Sequence, residues 1–276
     1  IKDNNIIIKL LKNSNFNNYN PGMYIFLNIP MISKMEWHPF TIVSDPCVNY
    51  ITLYIENIGD WTNDLYNLIK NKTIISNIYI DGPINSPSEN FLQYDVCMMI
   101  CGGIGITPFL SIIKNYVLKI FNYNKINIYN CDFEKLLNNK IYLYWCCRNQ
   151  NLFNSCSKIL NDIIKLDINN QIDININLTK IKKNIHFDIL SNIQYICHKL
   201  SNIDIISGLK DVKKLAKFGR PDLDNIFKNM IDKYENKTIA VLFCGSVEFQ
   251  KQIQKKCKYY STNDKKIIFK IFYEYF

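Results

Sequence analysis

The chain has 276 residues, 48% of them hydrophobic, which is long enough for two domains that each bury a core. Lys and Arg number 33 against 24 Asp and Glu, a formal net charge of +9 that suits an anionic ligand or an anionic membrane face; scattered lysines without an arginine-rich run point away from nucleic acid. Ten cysteines without a CxxC pair and only three histidines argue against structural zinc and a disulfide scaffold, so no metal site is expected and a reducing cytosolic setting fits.

Residues 5–58 read as short strands at 6–11, 23–29, 40–44 and 50–58, separated by Asn/Pro/Gly or Ser/Asp/Pro turns. Such a rhythm without intervening helices predicts a small antiparallel barrel. Residues 62–72, opening Thr-Asn-Asp, read as a helix capping it, and the Asn-rich stretches 13–20, 122–130 and 169–177 read as surface loops. From about residue 91 the rhythm changes. Strands at 95–101, 140–147, 172–179, 238–244 and 267–275 alternate with helices at 107–121, 151–166, 222–234 and 246–258, while an irregular Lys- and Asn-rich segment runs to about 205. Alternation of this kind predicts a doubly wound, mainly parallel sheet whose ligands sit beyond the carboxyl ends of its strands. The expected domains are residues 1–90 and 91–276.

Residues 96–113 carry no charge, but glycines and Pro108 interrupt them, so strand, loop and helix are expected rather than a membrane span. The run Asp95-Val-Cys-Met-Met-Ile-Cys-Gly-Gly-Ile-Gly-Ile-Thr-Pro-Phe109 enters a glycine cluster and leaves through Thr107 and Pro108, expected as N-cap and first helical position. The amides of such a loop suit a phosphate; a plain glycine turn in an α/β core reads the same way. Trp37-His-Pro-Phe-Thr-Ile42 offers an imidazole, an aromatic ring and a hydroxyl in succession, which could serve a flavin or could simply be an edge strand containing Pro39.

Taken together, Pro21-Gly-Met-Tyr-Ile-Phe-Leu27, Met35-Glu-Trp-His-Pro-Phe-Thr-Ile42, Gly59-Asp-Trp-Thr62, Asp81-Gly-Pro83, Gly103-Ile-Gly-Ile-Thr-Pro-Phe109, Tyr144-Trp-Cys-Cys-Arg148, Gly219-Arg-Pro-Asp222 and Phe243-Cys-Gly245 resemble, in order and spacing, the C-terminal dehydrogenase domain of the NADPH oxidase family. The related ferric reductases share the plan. The resemblance implies a ferredoxin-reductase-like fold: an antiparallel FAD-binding barrel over 1–90, then a doubly wound NADPH-binding α/β domain over 91–276. It implies hydride transfer from NADPH to FAD, then electron transfer to haems of a transmembrane domain outside this sequence, with oxygen reduced to superoxide. The domain would belong to a membrane protein and lie on the cytoplasmic side. A ferric-chelate reductase and a degenerate nucleotide-binding regulatory module are the alternatives.

Carried over by position, His38, Pro39, Phe40 and Thr41 would bind FAD, with Thr41 near the reacting nitrogen and Gly59 and Thr62 near the pyrophosphate. Gly103, Gly105, Thr107 and Pro108 would cradle the NADPH pyrophosphate. Arg148 and Arg220 would reach its 2′-phosphate, which agrees with the fit of a guanidinium fork to a phosphate dianion. Cys244 would touch the nicotinamide, and Phe276 would stack on the flavin and move aside for it. Hydride transfer asks little of acid-base side chains, so the lack of a catalytic triad is expected.

The family pattern breaks in four places. Cys101 stands where a Gly usually begins the loop and is expected to add bulk near the pyrophosphate. Ser246 replaces the usual Pro after Cys-Gly. Ile84 and Asn85 follow Asp81-Gly-Pro83, with Asn85 expected to tolerate a left-handed turn. Glu56 falls where the family usually carries an Arg for the FAD phosphates, and a carboxylate there would repel them.

Overall fold

The computed structural model describes residues 5–13, 16, 18–126, 131–180, 187–261 and 266–274. β1 (Asn5–Leu11) pairs antiparallel with β4 (Tyr50–Glu56), and β2 (Tyr24–Asn28) lies between β3 (His38–Thr41) and β5 (Tyr79–Ile84). Just past β3, Ile42 bridges Leu53 of β4, and the Val43 N–H donates to the Thr52 carbonyl at 2.8 Å, so the two small sheets join. Alternating apolar positions Ile25 and Leu27, and Ile51, Leu53 and Ile55, meet inside this antiparallel barrel. α1 (Asp60–Lys70) closes it with Trp61 and Leu65. The helix starts ahead of the expected residue 62 because the Thr62 hydroxyl caps from within the first turn, accepting from the Ile58 and Gly59 N–H groups at 3.0 and 2.9 Å.

β5 is absent from the expected elements. A strand reading Tyr-Ile-Asp-Gly-Pro-Ile carries two residues that weaken strand signals, and it survives as an edge of the three-stranded sheet. The left-handed residue of this segment is Gly82 (φ 127°), not Asn85.

The second half is one six-stranded parallel sheet of β6 (Val96–Gly102), β7 (Lys140–Cys147), β8 (Ile172–Leu178), β9 (Lys217–Phe218), β10 (Thr238–Cys244) and β11 (Ile268–Glu274), in the order β11-β10-β6-β7-β8-β9. Both faces are covered, which is why β6 and β10 are apolar throughout rather than alternating. Cys97, Met99, Cys101, Leu143 and Trp145 pack with α2 (Thr107–Ile126) and α4 (Gln150–Leu166); Met98, Ile100, Val241 and Phe243 pack with α6 (Leu223–Lys233) and α7 (Val247–Tyr260). α2 is apolar and long enough to cross a membrane by those measures, yet Phe109, Leu110, Ile113 and Val117 lie buried against the sheet.

Helix replaces expected loop in two places, at 122–126 and in the segment to about 205. α2 runs through 122–126, and α3 (Cys131–Asn138), a helix for which no element was expected, follows within a few residues. α5 (Phe187–Ser201) occupies the segment read as irregular. It is fixed by Gln194, whose Nε2 donates to Asp204 Oδ1 at 2.6 Å and to the Ala216 carbonyl at 2.9 Å, while Ile189, Ile193, Ile196 and Leu200 are exposed.

The halves share core and hydrogen bonds. Val43 packs among the side chains under α2, Asn5 Nδ2 donates to Ser155 Oγ at 3.2 Å, and Asn115 Nδ2 donates to Asp45 Oδ2 at 3.2 Å.

Candidate active site

The sheet order reverses at β6, which feeds β7 on one side and neighbours β10 on the other; in a sheet of this kind ligands bind beyond the carboxyl ends of the strands at such a switch point. Gly102, Gly103 and Gly105 leave β6 at this place, and Gly245 leaves β10. Gly103 has φ 56°, a left-handed conformation that favours glycine. Gly105 is required by proximity: a Cβ there would lie 2.7 Å from the Cys244 carbonyl oxygen and 2.9 Å from its Sγ. The Trp145 indole N–H donates to the Gly103 carbonyl at 2.9 Å and braces the loop from β7.

Residues 103–106 form a 3-10 turn that runs straight into α2. Thr107 therefore starts the helix instead of capping it: its hydroxyl donates to the Ile104 carbonyl at 3.1 Å, and Pro108 stands one position inside. The arrangement puts loop amides and the positive end of a long helix at the carboxyl edge of the sheet, which suits an anion. Cys101 does not intrude there, since strand alternation turns its thiol into the core, 3.8 Å from the Tyr144 carbonyl. Ser246 is the N-cap of α7, accepting from the Phe249 N–H at 3.4 Å, so the expected Pro is replaced by a residue that stabilises the same helix start.

Cys244 ends β10 beside Cys101 and Glu274 in the sheet register. Its thiol is pushed up to about 12, chiefly by burial and further by the Glu274 carboxylate. Arg148, just beyond β7, and Arg220, just beyond β9, are both exposed at the carboxyl edge of the sheet. Arg220 is close enough to Cys146 to favour its thiolate, although burial dominates and raises that thiol to about 12.

In the barrel, alternation along β3 sends His38 and Phe40 to one face and Pro39 and Thr41 to the other. The His38 and Phe40 rings flank Trp61, with centroids 4.4 and 5.9 Å from it, while Thr41 is buried. His38 Nε2 lies 3.3 Å from Glu36 Oε2. The Trp61 indole nitrogen is buried with no hydrogen-bond partner, and nothing lies within 4 Å of where a Gly59 side chain would start. An orphan donor on an indole packed against two rings, beside an open helix N-terminus, fits a flat ligand with acceptor atoms and a phosphate tail. Thr62 contributes by shaping that helix start, because its hydroxyl is committed to the cap.

Phe276 lies outside the described residues. Sequence reasoning missed Glu274, which is buried and accepts from the Ser86 hydroxyl and from the Ser88 N–H at 2.9 Å, tying the last strand to the segment after β5. A lone carboxylate inside an aromatic strand was the available signal. Glu56 is in the expected register at the end of β4, but its carboxylate turns to the glycine loop, with Oε2 3.6 Å from where a Gly103 Cβ would stand.

An antiparallel barrel joined to a parallel sheet, with a glycine loop and a strand-end cysteine meeting at the switch point, defines the class of ferredoxin-reductase-like flavin and nicotinamide proteins. Solved structures share this fold: a ferredoxin NADP+ reductase from Neisseria gonorrhoeae superposes with TM-score 0.57 at 14% identity over 97% of this chain and 92% of that one, and the reductase from Plasmodium falciparum with TM-score 0.53 at 17% identity over 97% and 89%. Residues 94–258 match the ferric reductase NAD binding domain model, and the chain belongs to that family; residues 1–95 match an FAD-binding domain model. Mouse NADPH oxidase 1 is 33% identical over 88% of this chain, and a superoxide-generating NADPH oxidase heavy chain from Dictyostelium discoideum is 32% identical over 93%. The chain spans 39% and 37% of those relatives' lengths.

Proposed function

We propose that this chain is the dehydrogenase portion of a transmembrane NADPH oxidase, an NADPH-dependent flavin oxidoreductase whose electrons go on to haems in a membrane domain of the same protein and then to oxygen, giving superoxide. The observation that carries the reading is the meeting of the glycine loop after β6 with Cys244 at the end of β10, where Gly105 leaves room for nothing larger than hydrogen.

In this reading the barrel, up to about residue 90, holds FAD: His38, Pro39, Phe40 and Thr41 line its ring system, and Gly59 and Thr62 form the helix start under its pyrophosphate. The orphan Trp61 N–H supports that assignment. Bound FAD supplies a hydride acceptor that can pass electrons on singly. From residue 91 onward, Gly103 and Gly105 receive the NADPH pyrophosphate on backbone N–H groups, and Thr107 and Pro108 form the helix start whose dipole faces it. Arg148 and Arg220 take the 2′-phosphate, a job for which their exposure leaves them free. Cys244 packs against the nicotinamide as a neutral thiol and excludes water, and Phe276 covers the flavin until the nicotinamide arrives. The domain faces the cytoplasm. A ferric chelate is the second acceptor to consider, favoured by the description of the matched NAD-binding model; the membrane portion selects between the two.

Removal of the arginines tests the nucleotide assignment. In the FAD-loaded chain, Arg148→Ala and Arg220→Ala should each raise the KM for NADPH about tenfold, the equivalent of one charge-assisted hydrogen bond, and leave the KM for NADH unchanged. Equal effects on both nucleotides would remove the 2′-phosphate role.

A further inference from the structure

Glu56 is the last residue of β4, and it reaches out of the barrel to the loop that the nucleotide would use. Its half-buried carboxylate lies against the 3-10 turn that opens α2: a Cβ on Gly103 would stand 3.6 Å from its Oε2, and the Ile104 amide favours its charge. An anion is therefore already seated on the glycine loop, supplied by the other domain. The amide and the positive end of α2 favour that charge, while burial, the larger influence, disfavours it. A titratable side chain that shares its field is Cys147 at the end of β7, whose thiol is raised to about 11 and stays neutral, so it adds no second negative charge and no counter-charge. Opposite Glu56 on β1 stands Asn5, also uncharged.

A pyrophosphate entering this loop brings its own negative charge to the place where the Glu56 carboxylate stands. Two anions a few ångströms apart beside partly desolvated backbone repel. We infer that Glu56 is an internal anion guarding the glycine loop, a positioning residue that NADPH has to displace, so that nucleotide entry is coupled to release of the end of β4 from the nucleotide domain. This rests on the reading that the loop receives the nucleotide phosphates.

The test is calorimetric titration of NADP+ into the purified chain at pH 8, without flavin, for the native chain, Glu56→Gln and Glu56→Ala, with circular dichroism to confirm folding. Both variants remove the charge, and Glu56→Ala also removes the acceptor, so either one carries the test if the other fails to fold. The expected result is about tenfold tighter binding by the variants, with the gap to the native chain narrowing as pH falls and the native carboxylate takes up a proton. Unchanged or weaker affinity in a folded variant, with NADP+ still bound by the native chain, overturns the guarding role and leaves the functional reading intact. Absence of NADP+ binding by all of them overturns both.

Discussion

Cys244 is kept neutral by its position. Burial first, and the Glu274 carboxylate second, raise its thiol from the ordinary 9.0 to about 12. The folded chain thus holds a proton that the unfolded chain releases; this stabilisation is complete below pH 9 and is lost as pH climbs towards 12. Iodoacetamide at pH 8.5 should leave Cys244 unmodified in the folded chain and alkylate it in denaturant, read by peptide mass spectrometry. Comparable labelling in both states would contradict the buried, protonated thiol. The place of Cys244 was legible, because Val-Leu-Phe-Cys-Gly reads as a strand running into a turn. Glu274 was not: its partners, the Ser86 hydroxyl and the Ser88 N–H, are remote in sequence, and no local pattern connects a carboxylate to them. For Glu56 the register was readable, but the direction of its side chain across the domain junction was not.

Among the elements, the glycine loop shows why spacing alone underdetermines a site. Its position between strand and helix could be read from the sequence, whereas the demand for glycine at 105 comes from the Cys244 carbonyl on a strand far along the chain. Gly105→Ala should cost about 2 kcal/mol through overpacking against backbone, and it should weaken NADP+ binding at the same time because the loop has to shift. A variant with native thermal stability and native affinity would contradict the close approach. Long apolar strands such as β6, β7 and β10 declared themselves, since burial on both faces leaves an uninterrupted hydrophobic run. β5 did not, because Gly82 and Pro83 mask it. α5 did not either: its apolar residues at 189, 193, 196 and 200 have helical spacing but face outward, and the residue that anchors it is the polar Gln194.

For the molecule as a whole, the change from strand-only to alternating rhythm made legible an antiparallel part followed by a parallel sheet. Their junction could not be read, because Asn5–Ser155, Asn115–Asp45, Glu274–Ser88 and Glu56–Ile104 pair residues far apart in the chain. Those contacts place the glycine loop against the barrel, as transfer between two bound cofactors requires. The most direct measurement is an anaerobic absorbance titration of the purified chain with FAD, followed by NADPH or NADH. Retention of FAD and bleaching of its visible band by NADPH, with little bleaching by NADH, is the predicted result. A chain that fails to retain FAD, or retains it and is never bleached by NADPH, would contradict the dehydrogenase reading and favour a nucleotide-binding regulatory module.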